Sequence, residues 1–169
     1  RSLLDFISVM KEHGLVLDLG CGPGNASVLM QNSGLRVDPI DASIEMVKLA
    51  NNLYDLKARQ AEFSDIHGED IYDGIWANFS LLHAPKSEFK NHIKALYRIL
   101  KRNGFFNIGM KLGEGERRDQ IGRLYAYYSE KELTEILINA GLDICETYYG
   151  EEKGLVGSIE PWIMLRLTK

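Results

Sequence analysis

The residues best suited to chemistry lie in one short run, Val16-Leu17-Asp18-Leu19-Gly20-Cys21-Gly22-Pro23-Gly24. An apolar stretch ends in three alternating glycines, which remove side chains where backbone must come close to a ligand. A helix starting just beyond them aims its unbonded N–H groups at the same spot. These features suit a nucleotide phosphate, and they equally suit a tight turn that binds nothing. Two residues narrow the choice. The dinucleotide pattern GxGxxG needs a third glycine where this chain has Asn25. Asp18, just ahead of the glycines, would repel a pyrophosphate and can instead accept from an ammonium group. Cys21 and Pro23 fill the remaining positions of the turn.

Asp41 is a second candidate, in Pro39-Ile40-Asp41-Ala42-Ser43. A carboxylate ending a strand there can accept from both hydroxyls of a ribose, or it can merely cap the next helix. His83 is a candidate general base, with packing of a helix start as its plainer role. Beyond position 110 come Lys111, Arg117, Arg118, Arg123, Tyr125, Tyr127 and Tyr128. Lys111, Arg117 or Arg118 could clamp an anionic substrate. Tyr125 could line its pocket and Tyr128 could assist proton removal. The alternative is a solvated loop whose charges pair among themselves at little energetic value.

The elements needed to hold these residues alternate along the chain. Leu15 to Leu19 is an apolar run that stops at glycines and reads as a buried strand. Ala26 to Gln31 reads as a helix, and Leu35 to Ile40 as a second strand. Ser43 caps a helix that carries Ile44, Val47 and Ala50 on one face. Weak and strong strands follow at Lys57 to Gln60 and Gly74 to Asn78. Lys86 to Arg102 has Phe89, Ile93, Leu96, Ile99 and Leu100 at helical spacing, with Asn103-Gly104 as its stop. Phe105 to Met110 is a fifth strand. Ser129 and Glu132 form a capping box on a helix that Gly141 closes. Leu142 to Tyr148 and Trp162 to Leu167 have no helix between them, so one must run antiparallel. The least regular stretch is Lys111 to Arg123, which follows the fifth strand, where an open α/β sheet has its ligand crevice. The pattern predicts an α/β fold: a Rossmann-like, doubly wound, mostly parallel seven-stranded sheet, one antiparallel strand near its C-terminus, and helices on both faces.

The LDLGCGPG run resembles the first motif of the class I S-adenosylmethionine-dependent methyltransferases, with the same acid and the same glycine spacing. Taken whole, the chain is similar to their small-molecule members, including the tellurite-resistance and thiopurine-like enzymes. The resemblance implies that S-adenosylmethionine is bound by Asp18, Gly20, Cys21, Gly22, Pro23 and Gly24, with S-adenosylhomocysteine as product. It implies that Asp41 holds the ribose, beside Ala42, Ser43 and Met46. After the third strand, Glu62 and Phe63 should flank the adenine, although Asp65 could supply that acid instead. Asn78, Phe79 and Ser80, ending the fourth strand, should lie under the methionine moiety.

Length and composition bound the rest. At 169 residues the chain fits a single domain, with an N-terminal part possible beyond Arg1. A net charge of −4 gives no footprint for nucleic acid. Cys21 and Cys145 form no metal-binding or disulfide framework, so no metal is expected and the cytosol is the expected compartment. No apolar run reaches membrane-spanning length. The expected partner is a small-molecule methyl acceptor, and the protein is expected to act as a monomer or homodimer. A tRNA or protein methyltransferase, and a non-catalytic module that only binds S-adenosylmethionine, would share the cofactor motifs. A nicotinamide-dependent oxidoreductase would share the fold class.

Overall fold

The computed structural model describes residues 2–154 and 157–169. Helix α1 (Ser2–Val9) leads into β1 (Leu15–Leu19), α2 (Asn25–Asn32), β2 (Arg36–Asp41), α3 (Ile44–Tyr54) and β3 (Arg59–Gln60). Then come β4 (Tyr72–Asn78), α4 (Lys86–Ile99) and β5 (Leu100–Lys111). A hairpin of β6 (Glu116–Arg118) and β7 (Leu124–Ala126) precedes α5 (Glu130–Asn139), β8 (Asp143–Lys153) and β9 (Ile159–Thr168).

Seven strands make one sheet in the order β3-β2-β1-β4-β5-β9-β8. Strands β1 to β5 pair in parallel, and β9 runs antiparallel to both β5 and β8. The order reverses between β1 and β4, so the C-terminal ends of these strands open a crevice. Side chains alternate across the sheet. Leu17, Leu19, Ile75 and Ala77 pack on one face with Phe89, Ile93 and Leu96 of α4 and Leu133 and Leu137 of α5. Val16 and Trp76 turn to the other face, with Phe6 of α1 and Met30 of α2. The doubly wound sheet read from the sequence is the sheet observed.

Three local expectations are corrected. Helix α4 does not run to Arg102; it ends at Ile99 and passes directly into β5. Leu100 pairs with Tyr72 while Phe105 pairs with Gly74, so the intervening residues are accommodated as an irregularity inside β5. Asn103, at φ 62°, and Gly104, where a Cβ would lie 2.9 Å from the Asp73 carbonyl oxygen, serve that irregularity and do not stop a helix. The segment after β5 is not irregular throughout, because Glu116–Arg118 pairs with Leu124–Ala126. The capping box at α5 is half made. Ser129 Oγ accepts from the Glu132 amide at 3.1 Å, but the Glu132 carboxylate reaches across to Lys86 Nζ at 3.1 Å.

Asp73 is the polar anchor at the opposite end of the central strands, near the start of β4. Its carboxylate accepts from the Leu15 amide at 2.8 Å and lies 2.7 Å from Lys11 Nζ and 3.3 Å from Lys101 Nζ. Burial pushes its pKa up, but these donors outweigh burial and hold it below the ordinary carboxylate value. It joins the entry to β1, the start of β4 and β5. Asp73→Asn keeps the shape and loses the charge, so it should lower stability by about 1–3 kcal/mol. Urea denaturation checks this, and an unchanged midpoint would show that the anchor is dispensable.

Candidate functional site

A cavity of about 620 Å³ opens at the C-terminal ends of β1, β2 and β4, within the size range of small-molecule sites. From the β1 end come Leu19 and Gly20; from β2 and the start of α3, Asp41, Ala42, Ser43 and Met46. After β3 the wall is Ala61, Glu62, Phe63 and Ser64, and after β4 it is Phe79, Ser80, His83, Ala84 and Pro85. Glu88 and His92 of α4 and Arg123 of the hairpin complete it.

The β1–α2 turn is sewn to β2. The amides of Gly20 and Cys21 both donate to the Ile40 carbonyl, each at 2.9 Å. The Gly22 amide donates to Asp41 Oδ2 at 2.8 Å, and Ser43 N donates to Asp41 Oδ1 at 2.9 Å. Three successive N–H groups are thereby consumed inside the protein, so this turn is not the open anion nest that a pyrophosphate requires. The glycines have separate reasons. At Gly20 (φ +77°) a Cβ would lie 2.4 Å from Ser80 Cβ, whose hydroxyl donates to the Leu19 carbonyl at 2.6 Å. Gly22 (φ +54°) faces open space, so its backbone angle alone asks for glycine.

Among the expected cofactor residues, Gly20, Asp41, Ala42, Ser43, Met46, Glu62, Phe63, Phe79 and Ser80 line this cavity together. Of the two acids considered after the third strand, only Glu62 is in the cavity lining. Asp65 Oδ2 accepts from the Glu62 amide at 2.8 Å and caps the single turn Phe63–Asp65, whereas Glu62 is at the cavity wall. Cys21, Gly22, Pro23, Gly24 and Asn78 are not part of the lining. Phe79 holds a left-handed backbone (φ 56°) that sets its ring edge-on to Trp162, 6.0 Å between centroids.

Asp18 requires a correction. It is 2% exposed and lies outside the cavity lining, and its Oδ2 accepts from Ser27 Oγ at 2.5 Å. It braces β1 against α2 and is not placed to accept directly from a ligand ammonium. Tyr128 is corrected likewise. It is 1% exposed, packed on Phe89 with Lys86 Nζ 4.3 Å above its ring. Burial, with Glu132 and Glu116 nearby, pushes its hydroxyl far above the ordinary phenol value, so it is no acid–base group for a ligand.

His83 stands at the cavity edge with a defined tautomer. Its Nδ1 lies 2.8 Å from the Leu124 carbonyl oxygen, which can only accept, so Nδ1 carries a proton, and in the neutral imidazole the lone pair is on Nε2. Its ring meets Tyr125 edge-on, centroids 4.8 Å apart.

Tyr125 belongs to a second cavity of about 410 Å³, bounded by Lys111, Arg117, Arg118, Asp119, Arg123, Tyr127 and Glu160, with Gln120 and Ile121 at its rim. All four expected substrate residues line it. Lys111 is nevertheless already matched in charge: its ammonium contacts Glu160 and lies 3.3 Å from Glu152. Arg123, which lines both cavities, was not among the candidates. Its position depends on the hairpin and leaves no local sequence signal.

Residues 16–104 match a family model described as a methyltransferase domain. An uncharacterized methyltransferase of Staphylococcus carnosus is 32% identical over 127 residues, 73% of this chain and 60% of that protein. The chain therefore spans less than two-thirds of that curated relative's length. Among solved structures, an S-adenosylmethionine-dependent methyltransferase of Methanosarcina mazei superposes with a TM-score of 0.82 at 18% identity, covering 96% of this chain and 95% of that one. A 1,6-didemethyltoxoflavin N1-methyltransferase of Burkholderia thailandensis, solved with 1,6-didemethyltoxoflavin and S-adenosylhomocysteine, gives 0.75 at 22% identity, covering 99% and 79%.

Burial raises the Asp18 pKa to about 6. The folded state thus binds this proton more tightly than the unfolded chain, where an Asp titrates near 3.9. The stabilisation is complete below the unfolded value and is lost as pH rises through about 6. Between about pH 5 and pH 7 the ligand-free protein should lose about 1–2 kcal/mol that an Asp18→Asn variant does not lose. Parallel denaturation of both proteins across that window is the check; identical pH profiles would mean Asp18 is ionised throughout.

Proposed function

Because the chain belongs to the methyltransferase-domain family, we propose that it binds S-adenosylmethionine in the larger cavity and transfers the methyl group to a small organic acceptor. The observation that carries this reading is the β1–α2 turn, whose amides are spent on β2 while Asp41 remains at the cavity wall with free lone pairs. A dinucleotide would lose the amides of Gly20, Cys21 and Gly22 as phosphate donors, whereas a nucleoside that carries no phosphate needs an acceptor for its hydroxyls.

The residues present fit the group. Asp41 would accept from the ribose, and its orientation is fixed beforehand by Gly22 and Ser43. Phe63 would offer a flat wall to the base, with Glu62 beside it. Phe79 and Ser80 would border the amino-acid end. The bound donor supplies a methyl group already made electrophilic by its sulfonium sulfur, so positioning is the main task left to the protein. His83 takes the proton of an acceptor that arrives protonated, because its Nε2 lone pair is fixed by the bond from Nδ1 to Leu124. The small-molecule class is supported by the size of the second cavity. Cys21 and Cys145 are free thiols, which fits work in the reducing cytosol. Among the described residues no helix is long and apolar enough to cross a membrane.

Calorimetric titration with S-adenosylmethionine, S-adenosylhomocysteine and NADH is the test. The first two should bind in the micromolar range and NADH should not. Asp41→Ala, checked for folding by circular dichroism, should weaken both by at least about tenfold, as expected for a lost bond to a charged group. NADH binding in their place would overturn the reading. For His83, a two-bond proton–nitrogen correlation spectrum of histidine-labelled protein should show a protonated Nδ1 and a bare Nε2; the opposite tautomer would remove it as the base.

A further inference from the structure

The second cavity carries a more specific assignment, which rests on the methyltransferase reading above. We infer that it takes the methyl acceptor, and that this acceptor is an organic anion with a ring-sized apolar body. Charge bookkeeping within the cavity decides the sign. Lys111 is matched by Glu160 and Glu152, and Arg123 Nε is matched by Asp119 Oδ2 at 2.8 Å. Arg117 and Arg118 have no carboxylate partner among the described residues. Arg117 lies over the Tyr127 ring, 4.3 Å from its centroid, and Arg118 Nη1 donates to the neutral Gly122 carbonyl at 2.8 Å. Lys111 has two acids for its one ammonium, yet the balance around the cavity stays positive, and Arg117 and Arg118 are the guanidinium groups left to offer a carboxylate its preferred fork of donors.

The body of the ligand is read from the walls. Tyr125 and Tyr127 present rings, and Ile121 is 77% exposed at the rim. An apolar ligand would bury these surfaces while its anionic end met Arg117 and Arg118.

The direction of the acceptor follows from what separates the two cavities. Arg123 lines both, and Tyr125 of the second touches His83 of the first. A molecule anchored at Arg117 and Arg118 with its body along Tyr125 would present its far end at His83, where the donor cavity begins. The hairpin that forms this wall is itself pinned. Glu116 Oε1 accepts from the Lys86 amide at the start of α4 at 2.7 Å, Leu124 O holds His83, and Asp119 accepts from the Ile121 and Arg123 amides within the turn. The acceptor site is thus a built surface with fixed charge.

The test uses protein saturated with S-adenosylhomocysteine and a matched panel. The panel holds benzoate, 4-hydroxybenzoate, cinnamate and indole-3-acetate, their primary amides, and benzylamine, tyramine and tryptamine. Ligand-observed saturation-transfer titrations should show the acids bound at least about tenfold more tightly than amides or amines, the loss expected when a charged hydrogen-bonded end is removed. The double variant Arg117→Ala, Arg118→Ala should lose that preference while its affinity for S-adenosylhomocysteine stays unchanged. Equal binding of amides or amines, acid binding that survives the double variant, or no binding by any acid would each overturn the assignment. If S-adenosylhomocysteine itself fails to bind, the donor-site reading is what fails, so the two failures are distinguishable.

Discussion

The Asp41 carboxylate, clasped between the Gly22 and Ser43 amides, is the contact on which the site depends. It joins two loops that leave neighbouring parallel strands. With the Ile40 carbonyl receiving Gly20 and Cys21, it closes the turn onto β2 and fixes the floor of the larger cavity. The same bonds decide the chemistry. A glycine-rich turn with free amides is a phosphate site, whereas one whose amides are consumed must recognise its ligand through side chains and shape. In the sequence Asn25 narrows that choice, whereas Asp18 turns out to face Ser27 and says nothing of a ligand; the hydrogen-bond partners of the turn carry the rest.

A second constraint is the close approach of β1 and β4. Gly20 has no room for a side chain because Ser80 is against it, and Ser80 in turn donates to Leu19. Phe79, next to Ser80, takes a left-handed conformation while its amide donates to Gly109 on β5. Strain at Phe79 is therefore supported from both sides by sheet contacts, which keeps the end of β4 in one geometry.

How much of this was legible in the sequence depended on the range of the contacts involved. The strand–glycine turn, the Ser43 cap, the periodic face of α4 and the closing pair of strands are local patterns, and each lies where the sequence put it. The end of α4 was misjudged because Leu100 continues the helical spacing, yet pairing with Tyr72 draws it into β5. Asp18 and Tyr128 were read as site residues because the neighbours that claim them, Ser27, Phe89 and Lys86, come together only in the folded chain. Arg123 was passed over for the same reason in reverse: in sequence it is one more charge in a charged stretch.

The two halves of the site consequently have different origins. The larger cavity is built from the ends of β1, β2 and β4, whose geometry is set by the sheet and marked by short motifs. The second cavity is built by a hairpin whose position is set by Glu116 at the start of α4 and by Leu124 against His83. Ala126 of the hairpin is also packed into the core, but its exposed residues Glu116 to Arg118 lie outside that core and can change without disturbing the sheet. A chain organised this way can hold the geometry of the first cavity constant while the side chains of β6 and β7 vary the chemistry of the second. In this chain that surface pairs Lys111 and Arg123 with acids and leaves Arg117 and Arg118 without them. The surplus positive charge therefore lies on the hairpin, far in sequence from the glycine-rich turn, at the second cavity.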